Sequence, residues 1–283
     1  MQTIQLVLQS AVAQLDSDSA RLDAECLLAA VLERDRSYLY AWPERSVSEQ
    51  QQAVYQALIS RRAGGEPVAY LLGYQEFWSL RLRVTPDVLI PRPDTELLVE
   101  QVLALDDSGL TVVDVGTGSG AIALVVAQQK PDWEIIGVDL SPAALAVARS
   151  NGEAHAAGRV RWLLSDYLSA FAAQSVDVIV SNPPYIAADD PELESSVAHY
   201  EPTMALIAGQ QGMEAFYVLA RQAASVLRPG GRLLLEHGYQ QAEAVADCLR
   251  GYGFESVSCH CDLAGRPRVT TAQLGRQREA ISD

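Results

Sequence analysis

Val113-Asp114-Val115-Gly116-Thr117-Gly118-Ser119-Gly120-Ala121 joins a short β-branched run to an apolar, helix-forming stretch. Glycines at such a junction let the backbone turn sharply and come close to a ligand. Asp139 closes the next apolar run, roughly 20 residues further on, where a carboxylate can accept hydrogen bonds from ribose hydroxyls. The pair predicts an adenosine-containing cofactor bound at one end of a Rossmann-like sheet. Gly116, Gly118 and Ala121 also satisfy the Gly-x-Gly-x-x-Ala dinucleotide fingerprint, so the loop alone leaves a nicotinamide-dependent dehydrogenase open.

Outward from this loop the chain alternates strand and helix. Strands are predicted at residues 111–115, 134–139, 161–164, 176–181, 232–237 and 254–258, with residues 268–274 as a further strand. Helices are predicted at 121–129, 142–155, 212–227 and 240–250. That order demands a mostly parallel sheet covered by helices on both faces. Upstream, residues 1–65 form a small all-helical domain: Ile4, Leu8, Val12 and Leu15 mark one face, and Ser48 with Gln51 makes a capping box. Val54, Ala57 and Leu58 are expected to give the last of these helices its apolar face. Residues 66–93 form a linker with a β-hairpin, since Phe77, Leu80, Leu82 and Val84 shift the period to two. Residues 94–275 form the α/β domain, and 276–283 a polar tail.

The sharpest chemistry follows the strand at 176–181, which runs into Asn182-Pro183-Pro184-Tyr185. Prolines lack an N–H, so the turn presents carbonyl oxygens without competing donors. The Asn182 side chain and the Pro183 carbonyl can grip the two hydrogens of a target NH2 group, and Tyr185 can stack on a planar target. Asn182, Pro183 and Tyr185 are the candidate catalytic residues, and Pro184 completes the substrate-binding set. Asn182 does not ionise near neutral pH, so the motif contains no general base. The rate should then be nearly flat in pH around neutrality. A site of this kind acts by position, which can supply on the order of 7–11 kcal/mol. Tyr167, after Asp166 at the end of the third strand, offers a flat face for an adenine ring.

Formal net charge is −15 over 283 residues, which disfavours general binding to a phosphate backbone. Arg61, Arg62, Arg81, Arg83 and Arg92 cluster in the sequence and are expected to be ordinary surface arginines. The four cysteines, Cys26, Cys248, Cys259 and Cys261, have no metal-type spacing and are expected to be buried or half-buried free thiols, as in a reducing cytoplasm. No metal site is expected. The start, Met1-Gln2-Thr3-Ile4, lacks the build of a signal peptide, and no apolar run reaches ~18 residues. These features predict a cytoplasmic protein without a membrane span.

Asp-x-Gly-x-Gly-x-Gly at 114–120 resembles the first motif of class I S-adenosylmethionine-dependent methyltransferases. Together with Asn182-Pro183-Pro184-Tyr185, the chain resembles the release factor glutamine methyltransferases over nearly its whole length. The segments that carry this are Gly65-Glu66-Pro67-Val68-Ala69-Tyr70, Glu76-Phe77-Trp78, Ile90-Pro91-Arg92-Pro93-Asp94-Thr95-Glu96, Tyr200-Glu201-Pro202 and Leu235-Glu236-His237-Gly238, with Arg266-Pro267-Arg268-Val269 a weaker match. The resemblance implies a five-helix N-terminal domain, a β-hairpin linker and a seven-stranded methyltransferase domain. It implies N5-methylation of the glutamine in the Gly-Gly-Gln motif of class-1 peptide chain release factors. A monomer without direct DNA binding is expected, the latter from the acidic charge balance. Gly116, Thr117, Gly118, Ser119, Gly120, Asp139, Tyr167 and Asn182 would contact S-adenosylmethionine, and residues 182–185 would hold the glutamine. Arg92 and Glu96 would lie near the site without an assigned role. A ribosomal-protein glutamine methyltransferase and a nucleic-acid amino-methyltransferase share the Asn-Pro-Pro-Tyr motif and stand as alternatives.

Overall fold

The computed structural model describes residues 2–156, 158–188 and 199–275. The predicted polar tail, 276–283, lies outside the described residues. The chain divides into two compact units, one helical and running to Tyr74, the other holding the sheet.

The helical unit contains α1 (Ile4–Val12), α2 (Ala20–Leu32), α3 (Arg36–Ala41), α4 (Glu49–Ala63) and α5 (Val68–Leu72). Thr3 caps α1, and Ser48 with Gln51 forms the expected capping box on α4. The helices bury Ile4, Val7, Leu27, Leu28, Leu39, Tyr55 and Ile59 around one core. The apolar face expected on α4 is corrected in part: Leu58 packs against the core, but Val54 is 50% exposed, and Tyr55 and Ile59, one turn apart, are the residues buried there. The Tyr55 hydroxyl donates to the Ala24 carbonyl, so a polar tip that periodicity does not score is satisfied in the core. The fifth helix, α5, occupies part of the stretch taken from sequence as linker.

The second unit begins at Gln75, within the hairpin of β1 (Tyr74–Phe77) and β2 (Leu80–Arg83). Its turn places Trp78 and Ser79 at positive φ, 50° and 63°, and the Trp78 N–H donates to Glu96 Oε1 at 3.1 Å. Phe77, Leu80 and Leu82 pack into the core of the sheet domain. Helix α6 (Thr95–Leu103) follows. The sheet then builds from β3 (Thr111–Val115), α7 (Ala121–Gln129), β4 (Glu134–Asp139), α8 (Pro142–His155), β5 (Val160–Leu164) and β6 (Val176–Ser181). It is completed by α9 (Thr203–Leu206), α10 (Glu214–Val226), β7 (Leu227–Glu236), α11 (Ala242–Gly251), β8 (Phe254–Cys261) and β9 (Pro267–Leu274).

The seven strands lie in the order β5-β4-β3-β6-β7-β9-β8. All neighbours are parallel except β9, which runs antiparallel to both β7 and β8. Alternate residues of each strand feed opposite cores. Val112, Ile135, Val178 and Val180 meet α6 and α7. Val113, Val115, Ile136 and Ile179 meet α10 and α11. This two-sided burial explains the near-continuous apolar strands. Cys259 and Cys261 are exposed, against the expectation of buried or half-buried thiols. They sit on β8, the edge strand of the sheet.

Because the chain goes β3, β4, β5 in one direction and returns to β6 beside β3, the sheet reverses between β3 and β6. A crevice opens at the carboxyl ends of these strands, the place where open α/β sheets bind ligands.

Candidate active site

The loop after β3 is held by two carboxylates. Asp114 is 1% exposed, and its Oδ2 accepts from the Thr117 hydroxyl at 2.6 Å and from the Ala123 N–H at 3.2 Å. Burial pushes its pKa up to about 7, against the pull of those two hydrogen bonds. Asp139 ends β4 and accepts the Gly118 N–H on Oδ2 and the Ser141 N–H on Oδ1, both at 2.9 Å. Gly116 and Gly118 take φ of 71° and 55°, and a β-carbon on Gly116 would meet nothing within 4 Å. The backbone there is open to a ligand. Asp139 keeps a free lone pair on each oxygen, since each accepts only one N–H.

Gly116, Gly118, Asp139, Tyr167, Asn182, Pro183 and Pro184 line a single cleft over the crevice, together with Leu140, Ser165, Val88 and Met204. The other four predicted site residues do not line it. Thr117 is turned inward to Asp114. Ser119 is buried, and its carbonyl accepts from Asn151 Nδ2 at 2.9 Å. Gly120 sits beneath Trp162, with room for no β-carbon: one would fall 2.8 Å from Cη2. Tyr185 packs against the core under α10, where burial raises its hydroxyl pKa; Glu236 and Asp94 push it the same way, opposed by Arg268 and Arg92.

Asn182 follows β6 directly. Its Nδ2 donates to the Thr95 hydroxyl at 3.1 Å, which leaves Oδ1 as the group available to an incoming N–H donor. Gln241 holds the far end of the turn: its Nε2 donates to the Tyr185 carbonyl at 3.0 Å and the Gly212 carbonyl at 3.2 Å, and its Oε1 accepts the Gly238 N–H at 2.9 Å.

The segment at 90–96 proves to be a brace. Arg92 pairs with buried Glu201, whose Oε2 also accepts the Ile90 N–H at 3.0 Å. Asp94 pairs with Arg268 at 3.0 Å. Thr95 orients Asn182, and Glu96 receives the hairpin turn at Trp78. Sequence reasoning quoted Thr95, Glu201 and Glu236 only inside longer segments and missed Gln241 altogether. The available signal was a carboxylate closing an apolar strand, Leu233-Leu234-Leu235-Glu236.

The cleft suits an adenosylated sulfonium cofactor. It combines a glycine backbone facing open space, a carboxylate with spare lone pairs at the end of β4, and the apolar surfaces of Leu140 and Tyr167. Among the described residues no group of three or more His, Cys, Asp or Glu side chains could hold a metal ion.

The PrmC N-terminal domain matches residues 7–73, and the methyltransferase small domain matches residues 93–199. A release factor glutamine methyltransferase of Salmonella typhimurium is 48% identical over 94% of this chain and 97% of its own length. One from Escherichia coli is 45% identical over 95% and 97%, and one from Coxiella burnetii 43% over 92% and 94%.

The chain belongs to the release factor glutamine methyltransferase family. Solved structures carry the fold alone. A methyltransferase from Pyrococcus furiosus superposes with a TM-score of 0.53 at 18% identity, over 78% of this chain and 98% of that one. A ribosomal protein L11 methylase from Lactobacillus delbrueckii subsp. bulgaricus gives 0.50 at 21%, over 72% and 91%. With a methyltransferase assigned, the dehydrogenase reading of Gly116, Gly118 and Ala121 falls, and Asn182-Pro183-Pro184-Tyr185 gains a chemical purpose.

Proposed function

We propose that this chain methylates the N5 side-chain amide of the glutamine in the Gly-Gly-Gln motif of class-1 peptide chain release factors. S-adenosylmethionine supplies an electrophilic methyl group on its sulfonium when bound, so no metal is required. The observation that carries the reading is the polarity of Asn182, a cleft-lining residue: with Nδ2 donating to Thr95, Oδ1 is left as its acceptor for a substrate N–H. The Pro183 carbonyl is the second acceptor, and an amide NH2 has two hydrogens to offer.

The roles of the chain's own residues follow. Gly116 and Gly118 bring backbone to the cofactor, and Asp139 takes its ribose hydroxyls. Tyr167 offers a face to the adenine, and Pro184 walls the substrate side. An amide nitrogen is a poor nucleophile because its lone pair is shared with the carbonyl. Two acceptors on its hydrogens fix the nitrogen in line and stabilise the positive charge that grows there. Thr117, Ser119 and Gly120 support the loop from behind rather than touching the ligand. Tyr185 anchors the turn by its half-buried ring, packed against the core, and is the least direct of the four motif residues.

The helical domain is the part we assign to recognising the release factor. The reading places the enzyme in the cytoplasm as a monomer. Among the described residues no helix is long and apolar enough to cross a membrane. Direct DNA binding is disfavoured by the net charge of −15 and by the pairing of Arg61 with Glu66, Arg62 with Asp23 and Arg92 with Glu201.

The deciding experiment is methyl transfer from labelled S-adenosylmethionine to purified class-1 release factor, beside a variant with alanine in place of the Gly-Gly-Gln glutamine. Label on the wild type alone supports the reaction and its target. Label on neither, with cofactor binding intact, moves the substrate to a ribosomal protein or a nucleic acid.

A further inference from the structure

Glu236 is the last residue of β7, 1% exposed, at the end of an apolar run. Nothing in the mechanism above uses it. A carboxyl in such a place is costly, because burial penalises its charged form. Its Oε2 has no hydrogen-bond partner. The side chains of Thr95 and Asn182 face it as hydrogen-bonding groups, with the charges of Asp94 and Arg268 nearby. Tyr185 lies within the same field. Arg268 is engaged by Asp94 at 3.0 Å and by Asp262 at 3.5 Å. The neighbouring imidazole of His237 is turned away, to the Thr270 hydroxyl and the Gly238 carbonyl, both at 2.9 Å.

Hydrogen-bond polarity gives this carboxyl a purpose. The two ends of an asparagine amide are nearly the same shape, so its partners decide which end points where. Asn182 meets Thr95, whose hydroxyl has one proton. A carboxylate at 236 can only accept. Thr95 then gives its proton to Glu236 and has only lone pairs left for Asn182. The amide must turn Nδ2 to Thr95 and Oδ1 to the cleft. With a neutral carboxyl the chain can reverse: Glu236 donates to Thr95, Thr95 donates to Asn182 Oδ1, and the NH2 faces the cleft. That NH2 would confront the substrate's own N–H groups, donor against donor.

We propose that Glu236, directly and through Thr95, sets which end of the Asn182 amide faces the substrate, and is a positioning residue whose ionised form is the competent one. This rests on the reading that Asn182 Oδ1 accepts from the target amide. Burial places the midpoint of the switch near neutrality, with the carboxyl pushed up to about 7; Thr95, Arg268 and Asn182 oppose the rise and Asp94 adds to it. The flat pH dependence expected from sequence is therefore replaced by an acid limb.

The test is the single-turnover rate of methyl transfer to release factor at saturating labelled S-adenosylmethionine, from pH 5.5 to 8.5, with cofactor affinity measured at each pH. At saturating cofactor the wild-type rate is expected to fall about tenfold per unit below about pH 7. Asp114, the other buried acid with a pKa near 7, holds the glycine loop, so its protonation would register in cofactor affinity instead. Glu236→Gln can satisfy Thr95 in either direction. It should lose the acid limb and run roughly 10- to 100-fold slower, with cofactor affinity unchanged. Thr95→Ser keeps the hydroxyl and should retain the wild-type profile, whereas Thr95→Val should be slower than Thr95→Ser and shift toward Glu236→Gln, with the direct Glu236–Asn182 contact still in place.

A flat wild-type profile, or wild-type rate and profile in Glu236→Gln, overturns the proposal. So does a loss in Thr95→Ser equal to that in Thr95→Val. Should Glu236→Gln melt early, the wild-type profile and the Thr95 pair decide alone. Failure of the underlying reading looks different: Asn182→Ala would remain active, or wild-type enzyme would not label release factor at any pH.

Discussion

A β-carbon added at Gly137 would fall 2.4 Å from Cζ3 of Trp162, its cross-strand partner on β5. The same indole lies over Gly120 and Gly152, where an added β-carbon would fall 2.8 Å from Cη2 and 3.2 Å from Cζ2. Three glycines from the cofactor loop, β4 and α8 thus form a slot for one tryptophan. Gly137→Ala is expected to overpack this slot and cost about 1–3 kcal/mol, lowering Tm by several degrees. Trp162→Leu in the same chain should recover part of the loss. An unchanged melting curve for Gly137→Ala would show that the ring has room to move.

Asp139→Ala is expected to weaken the cofactor, by removing an acceptor for the ribose hydroxyls and by releasing the N–H groups of Gly118 and Ser141. Loss of a charged acceptor of this kind is worth about 1.5–3 kcal/mol, a fall in affinity of roughly 10- to 100-fold. Calorimetry with S-adenosylhomocysteine measures it, and equal affinity in the variant would contradict the placement of Asp139 at the ribose.

Asp114 should leave a signature in stability against pH. Its pKa in the folded chain, about 7, is above the ordinary 3.8. The folded state therefore holds the proton more tightly than the unfolded one. The stabilisation this gives is complete below about pH 4 and is lost as pH rises through 7. Asp114→Asn lacks the titration. Denaturant midpoints of wild type and variant, followed from pH 5 to 8, should shift in the variant's favour toward high pH, by up to about 1.4 kcal/mol per unit. Parallel curves would mean that Asp114 does not titrate in this range.

Gln241→Leu removes the clamp on the Tyr185 and Gly212 carbonyls without touching the cleft. Each lost hydrogen bond is worth about 1 kcal/mol. The variant should lose on the order of 5- to 30-fold in the rate of methyl transfer, because the Asn-Pro-Pro-Tyr turn loosens, while cofactor affinity stays close to wild type. A cofactor affinity that falls as far as the rate would place Gln241 in general folding rather than in the turn.

Much of the sheet was legible because its information is local. Val112-Val113, Ile135-Ile136 and Val178-Ile179-Val180 are strands by composition wherever they are packed. The glycine loop and Asn182-Pro183-Pro184-Tyr185 are legible for the same reason: each needs residues with special backbone properties at consecutive positions. Errors fell where burial depends on a distant partner. Periodicity assigned Val54 to the core, but Tyr55 takes the place because Ala24, 31 residues away, accepts its hydroxyl. Local sequence offers no sign either that Gly120 lies under Trp162, where a β-carbon would not fit.

The sequence by itself determined the strand–helix alternation, the cofactor loop and the chemistry of an acceptor-rich turn, since these follow from φ limits, missing N–H groups and apolar runs along neighbouring residues. Only the tertiary structure decided how that turn is aimed. Asn182 is oriented by Thr95, 87 residues earlier, Tyr185 is held by Gln241, 56 residues later, and Glu236 reaches both Thr95 and Asn182 from the end of another strand. Hydrogen-bond direction is a property of groups brought within about 3 Å of each other, and residue order along a chain does not specify which distant groups those will be.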